Sequence, residues 1–307
     1  MENQCLGLAE RLPLPIRTFR IELREPWKTF APHGVRAALD HLTPRSDRPE
    51  PPWPRLLIGC GRQSIPVSRA IKKLSGGRTF TVQCQHPRVR AAAFDLVIPP
   101  EHDRLSGANV FSIAGSPNRI TPQRLSEAHA KFADLFAPLP APRLAVLIGG
   151  DSKTHGKLSA VDARTFSAAL VRLSGDHSLM ISASRRTPRG HMDTLRHSLA
   201  GTGAYIWDGT SANPYFGMLA WADAFLVTSD SVNMICEAAS TGKPVQVLTV
   251  PGGGRRSRDF HALLREKGIT RPFAGRIEQW TYAPLDETGR AAAHLQSLLA
   301  DHFATAG

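Results

Sequence analysis

Cysteine is sparse in this 307-residue sequence, tyrosine is sparser, and acidic residues are outnumbered by basic ones. The four cysteines, Cys5, Cys60, Cys84 and Cys236, lie far apart in sequence with no C-x-x-C spacing. That pattern signals neither a zinc site nor a disulfide framework, and it fits a reducing, cytoplasmic setting. Apolar runs such as Leu144 to Ile148 fall far below the ~20 residues a spanning helix needs. The start, Met1-Glu2-Asn3-Gln4, has no basic-then-apolar signal pattern. Aromatic residues make up 7% of the chain and are not interleaved with the arginines, which disfavours a base-stacking nucleic-acid surface.

What is present is a basic balance, 38 Lys and Arg against 26 Asp and Glu, for a net charge of +12. Phosphates and other anionic partners suit such a surface. A hydrophobic content of 42% and a charged content of 21% are those of a globular chain. The length fits two cores of about 150 residues each, and the Pro-rich run Pro138-Leu139-Pro140-Ala141-Pro142 reads as a stiff linker between residues 1–140 and 141–307.

Strands and helices alternate after that run. Strands are expected at 143–148, 179–183, 204–207, 224–228 and 244–248, and helices at 159–173, 189–199, 213–221 and 232–240. Ser159 and Asp162 form a capping-box-like pair at the first of these helices. Such alternation means a mostly parallel, doubly wound sheet whose ligands bind beyond the carboxyl ends of the strands. The first half is less regular, with strands expected at 18–23, 56–58, 79–82, 94–98 and 110–113 and a helix after Ser64. The fold class is α/β with two Rossmann-like doubly wound domains. Because the chain opens on a helix over 5–12, the first strand of the N-terminal domain is expected to precede this sequence.

Several strand ends carry candidate chemistry. Gly59-Cys60-Gly61-Arg62-Gln63-Ser64 approaches the dinucleotide fingerprint, but Ser64 replaces the third glycine and Gln83-Cys84-Gln85-His86 offers no acid for a ribose. An anion cradle and a plain strand-to-helix turn stay equally open there. Gly149-Gly150-Asp151-Ser152-Lys153 with Gly156-Lys157 fails as a P-loop, because Leu158 stands where Ser or Thr would hold magnesium. Its two glycines still permit close backbone approach to a ligand. Ser184, Arg185, Arg186 and Thr187 end the next strand with hydroxyls and guanidiniums suited to phosphate oxygens, solvent-facing arginines being the alternative. Thr228-Ser229-Asp230-Ser231 precedes a helix whose N-terminus favours a phosphate. On that helix Glu237 could accept ribose hydroxyls or be an exposed charge. Pro251 to Arg256 reads equally as a mobile cationic flap or a flexible surface loop, and the acid/base candidates of the first half are His86, Glu101, His102 and Asp103.

The ordered set from Glu2-Asn3-Gln4 through Gly59-Cys60-Gly61-Arg62, Gln85-His86-Pro87-Arg88, Pro100-Glu101-His102-Asp103, Gly149-Gly150-Asp151-Ser152, Ser184-Arg185-Arg186-Thr187, Asn213-Pro214-Tyr215 and Thr228-Ser229-Asp230-Ser231 resembles the mitochondrial fission ELM family over almost the whole chain. Members of that family carry a strand and a Gly-rich loop ahead of the Glu-Asn-Gln segment. The family is in turn similar to the GT-B glycosyltransferase superfamily, two Rossmann-like domains facing across a nucleotide-sugar cleft, with the final helix packing back on the N-terminal domain.

The resemblance implies a nucleotide diphosphate-sugar, or another phosphorylated small molecule, held by Gly149, Gly150, Ser184, Arg185, Arg186, Ser229, Asp230, Ser231 and Glu237. Gly242-Lys243-Pro244 would belong to the same donor-binding region. His86, Glu101, His102 or Asp103 would supply a base, and no metal or cofactor is required, because arginines and a helix N-terminus offset leaving-group charge. Plant members act in mitochondrial division through a dynamin-related protein. The alternative is therefore a non-catalytic GT-B-fold scaffold working through a protein partner or a membrane surface.

Overall fold

The computed structural model describes residues 1–150 and 159–305. The chain divides into two compact units, one formed by Met1–Arg119 with Asp286–Gly307 and the other by Ile120–Leu285.

In the first unit the helices are α1 (Glu2–Ala9), a short α2 (Trp27–Phe30) and α3 (Ser64–Leu74), and the strands are β1 (Leu56–Cys60), β2 (Phe80–Cys84) and β3 (Leu96–Ile98). The strands pair in parallel in the order β1-β2-β3. Gly59 lets α3 pack tightly on β1, since a Cβ there would stand 3.0 Å from Ser68 Oγ and 3.2 Å from Ser64 Oγ. The Ser64 hydroxyl donates back to Gly61 O at 2.8 Å. Of the two readings of the Gly59–Ser64 segment, these contacts support the strand-to-helix turn.

Two expected strands are not strands. Residues 18–23 make a single antiparallel bridge, Leu23 to Leu42, off the central sheet. Pro13, Pro15 and Pro26 around that segment cannot donate to a ladder. Residues 110–113 lie beside β3 through isolated bridges at Val97–Val110 and Pro100–Ile113. Pro99 and Pro100 lack the N–H groups a continuous ladder would need there.

The second unit holds α4 (Pro122–Lys131), α5 (Ala133–Phe136), β4 (Arg143–Ile148), α6 (Ala160–Leu173), β5 (Ser178–Ala183), α7 (Arg189–Ser198), β6 (Tyr205–Ile206), α8 (Tyr215–Trp221), β7 (Ala224–Thr228), α9 (Val232–Ala239), β8 (Val245–Leu248), α10 (Arg255–Glu266) and β9 (Thr270–Pro272). The Pro-rich run lies within this unit, between α5 and β4. Helix α11 (Glu287–Thr305) returns to the first unit, where Ala291, Ala292, Leu295 and Leu299 join Leu8, Leu12, Val82 and Ile98 in one core.

All six strands of the second unit are parallel, in the order β6-β5-β4-β7-β8-β9. Residues Leu144 to Ile148 of β4 are buried throughout, as a strand covered on both faces must be. Leu144, Val146 and Ile148 meet Phe166 and Leu170 of α6 and Met192 and Leu195 of α7. The alternate residues Ala145 and Leu147 point to the opposite face, where α8 and α9 bury Met218, Leu219, Ile235 and Ala238. Helix α6 begins at the expected capping box, with Asp162 N–H donating to Ser159 Oγ at 3.1 Å and Ser159 N–H donating to Asp162 Oδ2 at 3.0 Å.

Of the expected Pro251 to Arg256 loop, Pro251 to Gly254 form a turn and the two arginines belong to a helix. Arg255 and Arg256 open α10, and Arg255 pairs with Asp259 one turn on at 3.7 Å. The apolar residues Phe260 and Leu264 bury that helix.

Candidate functional site

In the second unit the strand order reverses at β4, whose neighbours β5 and β7 lead the chain in opposite directions. Loops leaving the carboxyl ends of such a pair diverge and open a crevice, the usual ligand position in a doubly wound sheet. Gly149 and Gly150 leave β4, Ser184 to Thr187 leave β5, and Ser229 to Ser231 leave β7. Three of the expected segments are thus gathered at one sheet edge. Asp151, Ser152, Lys153, Gly156, Lys157 and Leu158 lie outside the described residues.

The floor of the crevice is tightly bonded. Gly149 N–H donates to Thr228 Oγ1 at 2.7 Å, and the Thr228 hydroxyl in turn donates to Asp230. Gly150 N–H also donates to the Asp230 carboxylate. Burial pushes the Asp230 carboxyl up from its ordinary value against these bonds. Neither glycine has room for a side chain, since a Cβ on Gly149 would lie 2.0 Å from Asp230 Oδ2 and one on Gly150 2.3 Å from the Arg186 carbonyl carbon. Asp230 therefore braces β7 against the glycine loop. The space enclosed between Gly149, Gly150, Thr187, Thr228 and Asp230 is about 10 Å³, room for no more than a single water.

The two serines of the turn separate into different roles. Ser229 Oγ accepts the Val250 N–H at 2.8 Å, and Ser229 O accepts from His261 Nε2 at 2.9 Å, which ties the turn to the next loop and to α10. Ser231 precedes α9 and makes no side-chain cap bond, unlike Ser159 on α6. Its hydroxyl has no partner among the described residues. The first turn of α9 also presents N–H groups without intrahelical acceptors, and the helix dipole is positive there. On the rim Arg185 and Arg186 are both exposed, and Arg185 makes no ion pair among the described residues. Ser184 Oγ accepts the Arg186 N–H at 3.2 Å, which holds the loop in its turn.

Glu237 is not an exposed helix charge. It is 8% exposed, and Tyr215 OH donates to its Oε2 at 2.5 Å. Loss of solvent is the main reason its carboxyl rises from 4.5 to about 7, with the Tyr215 bond acting in the opposite direction. Its Oε1 takes no hydrogen bond among the described residues. Tyr215 carries only a weak sequence signal, an aromatic residue following Asn213-Pro214 at a helix start. Lys243, by contrast, turns away to donate to Ala220 O at 2.7 Å. A hollow of about 400 Å³ at the β6 edge, lined by Phe132, Leu135, Tyr205 and Asp208, includes none of the expected site residues.

In the first unit His86 follows β2, and its Nδ1 accepts the Arg88 N–H at 3.0 Å. The neutral ring then carries its proton on Nε2 and presents a donor rather than a base. Glu101, His102 and Asp103 form one 3₁₀ turn after β3, all half-buried. Cys60 and Cys84, far apart in sequence, end adjacent strands in register.

The UDP-GlcNAc 2-epimerase of Methanocaldococcus jannaschii is similar in structure at 12% identity, with a TM-score of 0.50 over 80% of this chain and 77% of that one. A structure of that enzyme in complex with UDP-GlcNAc and UDP matches with a TM-score of 0.50 at 12% identity, over 80% of this chain and 76% of that one. These likenesses show the fold, an α/β architecture of the GT-B kind. In sequence, the Mitochondrial fission protein ELM1 of Arabidopsis thaliana is 34% identical over 275 residues, which cover 80% of this chain and 64% of that protein. This chain thus spans less than two thirds of the length of its plant relative. The family described as Mitochondrial fission ELM1 matches residues 1–299, and the chain belongs to that family.

Proposed function

We propose that the second unit binds a nucleotide diphosphate-sugar at the carboxyl edge of its sheet and serves in transfer of the sugar. The observation that carries this reading is the uncapped Ser231 hydroxyl at the start of α9, one and a half turns before a buried Glu237 with a spare carboxylate oxygen. The diphosphate would lie on the first turn of α9, taking N–H groups and Ser231 Oγ, with Arg185 and Arg186 supplying charge from the β5 loop. Vicinal ribose hydroxyls would donate to Glu237. Leaving-group charge at the diphosphate is then offset by a helix N-terminus and guanidiniums. The bound complex of the Methanocaldococcus jannaschii epimerase gives this ligand class its precedent on the fold.

Calorimetric titration of the protein with uridine and guanosine diphosphates tests the reading, with saturable binding of one of them as the expected result. Absence of heat and of thermal stabilisation with both at millimolar concentration would sink it. Replacing Ser231 with alanine removes no bond of the folded chain. It is expected to leave the thermal midpoint unchanged while weakening diphosphate binding about tenfold, the effect of one lost charge-assisted hydrogen bond. An unchanged affinity would place the diphosphate elsewhere.

One observation favours a binding protein without turnover. His86, one of the base candidates, has its Nδ1 engaged by the Arg88 N–H. Glu101→Gln separates the two readings. In a transferase it abolishes sugar transfer with nucleotide affinity intact, whereas a scaffold shows no transfer to abolish and retains a protein or membrane partner.

A further inference from the structure

Three of the four cysteines meet in the first unit. Cys60 and Cys84 close β1 and β2 and are partners in the parallel register, so their side chains project from one face of the sheet on strands about 4.8 Å apart. That face is covered by α1 and the residues after it, where Leu8 and Leu12 share a cluster with Cys84 and Cys60. Cys5, on the opening turn and a half of α1, lies against both thiols. Cys60 shares its S–H with Gln4 Oε1 at 3.3 Å, and the same oxygen accepts from Gln85 Nε2 at 3.0 Å. Gln4 is itself buried, so the trio sits in a fixed polar niche beneath the helix.

The three thiols are not equivalent. Contact with the Cys60 and Cys84 thiols holds the Cys5 thiol below its ordinary value. The same contact, with burial, raises Cys60 and Cys84. A nucleophilic thiolate with a protonated thiol in contact is the arrangement of a peroxide-sensitive pair. Cys5 and Cys60 are half-buried and within reach of a small oxidant, whereas Cys84 is wholly enclosed.

We propose that Cys5 and Cys60 form a hydroperoxide-oxidisable site that closes to a reversible disulfide between α1 and the carboxyl end of β1. The Cys5 thiolate attacks one oxygen of the hydroperoxide, the O–O bond breaks, and hydroxide or alkoxide leaves while Cys5 becomes a sulfenic acid. The Cys60 sulfur then attacks the Cys5 sulfur, the S–O bond breaks, and water leaves with the Cys60 proton. Two thiols lose two electrons, and the peroxide takes them. A dithiol reverses the step by exchange.

The test treats the full chain with equimolar hydrogen peroxide at pH 7, blocks remaining thiols in denaturant and maps the peptides by mass spectrometry. A Cys5–Cys60 cross-link is expected, with two of four thiols lost and regained on adding dithiothreitol. Cys236→Ser should leave the cross-link unchanged and Cys5→Ser should abolish it. If Cys5→Ser fails to fold, iodoacetamide labelling of the wild-type protein at pH 6 substitutes, with Cys5 modified first among the four cysteines. Four thiols surviving the peroxide, a cross-link lacking Cys5 or Cys60, or Cys5 labelling no faster than Cys236 would each overturn the proposal.

Discussion

Replacing Glu237 with glutamine is expected to stabilise the folded chain above pH 7 and at the same time to weaken nucleotide diphosphate binding at least about tenfold. The two effects have one cause. The Glu237 carboxyl is desolvated, which lifts it from 4.5 to about 7. Below 4.5 both folded and unfolded chains hold the proton. As pH rises from there the unfolded chain releases it first, so the stabilising contribution of the protonated folded form is lost progressively up to about 7 and stays lost above that. The difference amounts to up to about 3 kcal/mol. Glutamine keeps the acceptor for Tyr215 without the charge, so Glu237→Gln should flatten the pH dependence of denaturant midpoints across this window. Ribose hydroxyls, as donors, favour the ionised carboxylate, so wild-type affinity should rise between pH 6 and 8 and the glutamine variant should lose that rise. A variant less stable than wild type at pH 8 would show that the charge is satisfied in the fold, contrary to the burial argued for it.

The second large effect is expected at Gly150. An alanine Cβ would lie 2.3 Å from the Arg186 carbonyl carbon and 2.5 Å from the Thr187 nitrogen, both backbone atoms that cannot rotate away. The β4 and β5 loops must separate to admit it. Overpacking of this kind costs about 1–3 kcal/mol. Gly150→Ala is therefore expected to lower the thermal midpoint by several degrees and to remove detectable nucleotide binding, because Arg185 and Arg186 move with the loop. Gly190, with nothing within 4 Å of a Cβ and a place on α7, is the control, and alanine there should be neutral or slightly stabilising. Equal behaviour of the two variants would contradict the close approach of the loops.

Much of this was legible in the sequence, and unevenly so. Strands β4 to β8 of the second unit read clearly because a parallel sheet buried on both faces needs continuous apolar runs such as Leu144 to Ile148, whereas the short edge strand β9, with Arg271 and Pro272 exposed, was not expected. The Ser159–Asp162 cap was equally plain. Helix α10 was hidden by the arginines crowding its first turns, although Phe260 and Leu264 follow helical spacing. The irregular edges of the first unit depend on prolines interrupting pairing at Pro99 and Pro100, which local propensity alone does not reveal.

At the site, the Thr228 to Ser231 turn was recognisable by residue type, but the division of labour within it was not. Only three-dimensional packing shows that Ser229 is spent on Val250 while Ser231 is spare, or that Asp230 faces the glycines. The Tyr215–Glu237 pair and the meeting of Cys5, Cys60 and Cys84 join residues on separate elements, and no spacing rule in the chain announces them.

The structure of the protein crystallised with uridine diphosphate tests the central claim most directly. A diphosphate is expected on the first turn of α9 within hydrogen-bond distance of Ser231 Oγ, with a ribose against the Oε1 of Glu237. A diphosphate seated elsewhere, or a crystal grown at millimolar nucleotide with no nucleotide on α9, would contradict it.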